Sequence, residues 1–154
     1  MAEPLTVKEQ VMAALAARMS GLVHPSGSAV FRGVTRYDVA HGVTVNRPHC
    51  CVLRGPERTD PRAQDDDIEG LLLTAYVKVY CEDRADVDSR LNQLHGIVYD
   101  DLQDQTLGGL CGYVRYKGDV PFTAKLLDLP SGTQVMSYEV FYAHPRGQSA
   151  VSFD

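Results

Sequence analysis

The chain has 154 residues, 44% of them hydrophobic, the size of one ordinary domain, able to bury roughly 68–70% of the surface its unfolded form exposes. Its formal charge of -5, from 15 Lys and Arg against 20 Asp and Glu, repels phosphates and anionic lipid and argues against a nucleic-acid-binding module. No run approaches the ~18 apolar residues of a membrane span, and the opening MAEPLTVKEQ lacks a secretory leader pattern, so the cysteines are expected as free thiols in a reducing cytosol.

Thr6 and Glu9 stand at capping-box spacing and predict a helix over residues 7–19, with Val11, Met12, Leu15, Ala16 and Met19 on one face. Ser20-Gly21 ends it. Residues 29–34 are predicted as a short strand, residues 39–45 are too interrupted by Gly42 to assign, and residues 50–54 form a second strand between Pro48 and Gly55-Pro56. Residues 56–69, PERTDPRAQDDDIE, hold two prolines, three consecutive aspartates and almost no apolar side chains. Too little surface can be buried there to offset the entropy of ordering, so a long flexible loop is expected.

Over residues 71–81, Leu71, Leu73, Ala75, Val77, Val79 and Cys81 alternate with Leu72, Thr74, Tyr76, Lys78 and Tyr80, predicting a strand with an apolar face and a mixed face whose large side chains should meet something. A second helix over 86–102, capped by Asp83 or Asp86, turns Val87, Leu91, Leu94, Val98 and Leu102 to one side, with Ile97 beside them. After the turn at Leu107-Gly108-Gly109-Leu110 come a strand near 113–117, a leucine-rich loop over 120–132, a strand over 135–143 and a tail over 145–154. The expected fold is a single α+β domain, 1–154, with a mainly antiparallel or mixed sheet of four to five strands and two helices packed on one face.

No motif for catalysis, metal or cofactor emerges. Cys50 and Cys51 are adjacent on a strand and point to opposite faces, so they are read as packing residues beside His49. A cysteine nucleophile would need His24, His41, His49, His95 or His144 brought to it in space, and no motif selects one; His95 is read as a surface residue on the flank of the second helix. Asp65-Asp66-Asp67 lacks the alternating ligands of a calcium loop, and Gly108, Gly109 and Gly112 fit no phosphate cradle and are read as turn residues.

In this order, the opening helix VKEQVMAALAARM, the strand VFRGV, the stretch HCCVLRGPERTDP, the strand and acidic-capped helix LLLTAYVKVYCEDRADVDSRLNQLHGIVYDDL, the TLGGL turn and the aromatic closing strand MSYEVFYAHP resemble the tail terminator proteins of long-tailed bacteriophages. The resemblance spans most of the chain and implies a homo-oligomer, usually a ring of six subunits. Such a ring docks on the tail tube protein, stops its polymerisation and presents a surface to the head-tail connector protein. It implies a place in the virion, at the tail or neck, after assembly in the host bacterial cytoplasm, with DNA passing through and not bound specifically. It brings no catalytic residue, no cofactor and no membrane contact. The middle loop and the stretch past Pro145 are longer than in the smaller members. Asp65, Asp66, Asp67 and Glu69 are expected near the bore or docking rim, paired with a basic neighbour, or merely solvated, and Tyr76, Lys78 and Tyr80 on a face open to contact. A head-tail connector or tail-completion protein is the nearest different reading, and a small cysteine-dependent enzyme is the reading from another class.

Overall fold

The computed structural model describes residues 4–39, 48–82, 86–120 and 131–151. Thr6 caps helix α1, Val7–Gly21, by accepting from the Glu9 amide at 3.2 Å, and Val7, Val11, Met12, Leu15 and Met19 form its buried face. Helix α2, Val87–Leu102, starts at Asp86, whose carboxylate accepts from the Ser89 amide at 3.0 Å; Asp83 lies outside the described residues. Leu94, Val98 and Leu102 are buried, with Val87, Leu91 and Ile97 packed beside them. A two-pronged ion pair, Arg18 to Asp101 at 2.8 and 2.9 Å, ties the helices together.

Both helices lie on one face of a five-stranded sheet in the order β1-β2-β3-β5-β4, with β1 at Gly33–Thr35, β2 at His49–Gln64, β3 at Ile68–Glu82, β4 at Tyr113–Val120 and β5 at Ser131–Pro145. The sheet is mixed: β1 runs parallel to β2 and every other pairing is antiparallel. The fold is the α+β domain expected. The apolar face of β3 is the floor of the core, from Leu71 to Cys81, joined by Cys50 and Val52 of β2, by Met136, Tyr138 and Val140 of β5 and by Val114 of β4.

The first strand is shorter and later than expected. Val23 bridges Ala29, Val30 and Phe31 enter the core, and only Gly33–Thr35 pair with β2. The larger correction concerns residues 56–69. Residues 56–64 continue β2, residues 68 and 69 open β3, and only 65–67 turn. A composition poor in apolar side chains does not forbid a strand whose backbone pairs with a strong neighbour. β1 reaches only to Cys51, so the far half of β2 is a sheet edge, where Pro56 and Pro61 cost no ladder bond. The ladder is irregular between Arg54 and Glu57 and between Thr59 and Gln64, the two intervals that contain those prolines.

Leu107, Gly108 and Gly109 all take positive φ, so the predicted glycine turn is there, and Leu107 joins them with its side chain buried. Gly112 serves differently: a Cβ there would meet the Phe141 ring at 2.8 Å. The interior of the leucine-rich loop and the unassigned stretch after Val39 lie outside the described residues. Between Pro145 and Ser149 the chain is tied back to the domain, because the Ser149 carbonyl accepts from the Val7 amide at 2.7 Å at the start of α1. Among the described residues no helix is long and apolar enough to cross a membrane.

Candidate functional site

The three aspartates form the tip of the β2–β3 hairpin and do not share one role. The Asp65 carboxylate accepts from the Asp67 amide at 2.8 Å and the Ile68 amide at 2.6 Å, which closes the turn. Arg146, just past the end of β5, clamps the same turn, donating to the Asp65 carbonyl at 2.8 Å and the Ile68 carbonyl at 3.2 Å. Asp66 and Asp67 are exposed, and their carboxylates have no hydrogen-bond or ion-pair partner among the described residues. Glu69 points elsewhere, to the helix side of the sheet opposite His144.

The mixed face of β3 is split between two fates. Lys78 and Tyr80, expected on an open surface, are buried by a segment of their own chain. The Lys78 ammonium donates to both oxygens of Asp38 at 3.0 and 3.3 Å, and the Tyr80 hydroxyl donates to the Val39 carbonyl at 2.8 Å. Val39, Cys51 and Tyr80 then make a small second core with Leu53 packed against it. Burial works against the Lys78 charge, but the bonds with Tyr80 and Asp38 outweigh it and hold the pKa above the ordinary lysine value. These two residues are therefore withdrawn from direct docking, whereas Tyr76 remains half-buried.

The open part of that face lies further along, from β2 across β3 and β5 to β4. Tyr113 stacks on Phe141 with centroids 5.6 Å apart, and Arg115 sits 4.0 Å above the Tyr113 ring. Glu139 accepts from the Tyr113 hydroxyl at 3.1 Å and stands 3.8 Å from both Arg58 and Lys117. Its side chain is 18% exposed, while those of Arg58, Arg115 and Lys117 are 67%, 56% and 53% exposed. One sheltered carboxylate thus lies among three solvated cations and an aromatic pair. Sequence reading missed this patch because its members come from three strands and meet only through register.

Cys50, Cys51, Cys81 and Cys111 are free and buried, and burial pushes the Cys50 thiol far up and the Cys111 thiol up to about 11. Such thiols carry almost no thiolate at neutral pH, the opposite of an activated nucleophile. Cys50 faces the main core and Cys51 the second one, as alternation requires. His49 meets Thr35 Oγ1 at 3.2 Å through Nε2, while its buried Nδ1 has no partner among the described residues. His95 is half-buried and lies 3.2 Å from the Tyr116 hydroxyl, edge-on to that ring; His41 lies outside the described residues.

A second candidate arises from a mismatch of lengths. Strands β3 and β5 have 15 residues each, about 50 Å, whereas a 15-residue helix spans only about 23 Å. The hairpin end of the sheet therefore runs past α1, and a cleft of about 380 Å³ opens there. Leu71 and Tyr142 form its floor, Thr6, Lys8 and Ser149 one wall, and Arg54, Glu57, Glu69 and His144 its polar lining. The bulge at Gly55-Pro56 puts Glu57 opposite Leu73, on the helix side. There its carboxylate pairs with Lys8 at 2.9 Å and accepts from the Tyr142 hydroxyl at 2.5 Å. Burial, then this acceptor and its charge, push the Tyr142 phenol far above its usual pKa and keep it a donor. Among the described residues no three His, Cys, Asp or Glu side chains converge to hold a metal ion.

No protein-family model matches the chain, and no curated protein is significantly similar to it.

Proposed function

We propose that the chain is the subunit of a closed ring that caps the tail tube of a long-tailed bacteriophage, ends its polymerisation and offers a surface to the head connector. The observation that carries the reading is the half-open face running from Arg58 on β2 across β3 and β5 to β4, with its stacked Tyr113–Phe141 pair and three exposed cations, ending at β4 as the last strand of the sheet. An edge strand presents unpaired backbone groups, and a face beside it that matches a different patch on the next copy makes a head-to-tail contact. Such contacts close into a ring when the rotation per subunit permits. Further support comes from the order of elements on which the resemblance rests and from the Asp66 and Asp67 carboxylates at the hairpin tip, which have no partner among the described residues. Negative charge beside a passage for DNA discourages phosphates from sticking.

Light scattering and negative-stain microscopy of the purified protein, alone and with tail tubes, test the reading. The expected outcome is a ring of about six copies, free or seated on tube ends. A monomer at high concentration that also leaves tube length unaltered rules it out.

A further inference from the structure

We infer that the cleft beyond the N-terminal end of α1 binds a small elongated zwitterion, an amino group at one end and a carboxylate at the other, the chemistry of a short peptide with free termini. The inference is independent of ring assembly. Lys8, Glu57 and Tyr142 satisfy one another inside the cleft, so they form its frame. Three groups are left to meet a ligand. Glu69 and the exposed Arg54, which feels the Glu9 carboxylate at longer range, line the cleft and make no side-chain hydrogen bond or close ion pair among the described residues.

The third is His144, only 8% exposed. Its Nδ1 lies 2.9 Å from the Pro145 carbonyl. A carbonyl can only accept, so Nδ1 carries a proton, and in the neutral imidazole Nε2 presents a lone pair, with no hydrogen-bond partner for it among the described residues. Nε2 is thus a group that a ligand's N–H can engage.

His144 and Glu69 are register partners on the same side of the sheet. An imidazole lone pair beside a free carboxylate asks for a cation with several N–H donors, and the absence of a third converging ligand among the described residues favours an ammonium over a metal ion. Arg54 asks for an acid, which its planar fork grips through two parallel bonds. Arg54 is opposite Ala75, six residues along β3 from Glu69, a strand length of about 20 Å. The two side chains close part of that span, yet an α-amino acid, with both charges on one carbon, is too short to meet both. A floor of buried Leu71 and Tyr142 suits the less polar middle of a longer molecule.

The test is an NMR titration of the full chain with triglycine, following the His144 ring and Leu71 methyl signals. Binding is expected to weaken about 10-fold or more on N-acetylation of the peptide, on its C-terminal amidation, and in Arg54→Gln, Glu69→Gln and His144→Gln, each of which keeps the wild-type melting temperature. Glycine is expected to bind far more weakly than triglycine. Equal binding of the acetylated and amidated peptides, equal binding of glycine, or no binding at all overturns the inference. So does saturation of the His144 ring by zinc in a protein that ignores triglycine, which would make the cleft a metal site.

Discussion

His49 is buried, and its ring is oriented by Thr35. Thr35 Oγ1 donates to the Tyr37 carbonyl at 2.9 Å and so accepts from His49 Nε2, which leaves Nδ1 bare. That bare nitrogen faces Gly33, where an added Cβ would sit 2.7 Å from it. Burial holds the His49 pKa below its ordinary value, so the unfolded chain takes up this proton first as pH falls. Stability is fully present above the unfolded value near 6.5 and declines below it until the folded pKa is reached. The melting temperature is expected to fall between about pH 7.5 and about pH 5.5, and to fall less in His49→Gln, which keeps a donor for Thr35. Equal slopes in both proteins would assign the acid sensitivity to other groups. The sequence placed His49 just before the strand at 50–54 and could not show its orphan nitrogen, because that depends on how closely β1 lies beside β2.

At the scale of elements, α2 was legible from its period: the residues predicted to face the sheet are the ones buried or packed there. Leu94 is wholly buried, and Leu94→Ala is expected to cost about 2–5 kcal/mol in denaturant unfolding. An unchanged midpoint would mean that the cavity collapses or the face is wrong. The β2–β3 hairpin was not legible, since its strand character comes from pairing with β3 and not from its own side chains. Its tip offers a sharp contrast between neighbours. Asp65→Ala removes the acceptor of two backbone amides and is expected to cost about 1–2 kcal/mol, while Asp66→Ala is expected to lie within about 0.5 kcal/mol of wild type. Thermal unfolding of the two variants checks this, with faster amide exchange at 65–68 expected only for Asp65→Ala.

For the whole molecule, the division of labour at the tip sharpens the test of the acidic residues in assembly. Replacing all three aspartates would confound turn stability with charge, so the informative protein is Asp66→Asn with Asp67→Asn. If these carboxylates pair with basic residues of a neighbouring copy, assembly is expected to become weaker and lose its salt dependence. If they line the bore, tails are expected to assemble normally and DNA to pass more slowly. Particles that assemble and eject as the parent does would leave Asp66 and Asp67 as solvated surface. The sequence by itself determined both helices, the Thr6 cap of the first, the alternating centre of the sheet and the opposite facing of Cys50 and Cys51, because these follow from period and local hydrogen bonding. Only the tertiary structure decided that Lys78 and Tyr80 are covered, that a polar hairpin extends the sheet, and that Glu57, Glu69 and His144 share a cleft. Each of those depends on contacts between residues distant in sequence. One bulge at Gly55-Pro56 is enough to move Glu57 to the other face of the sheet.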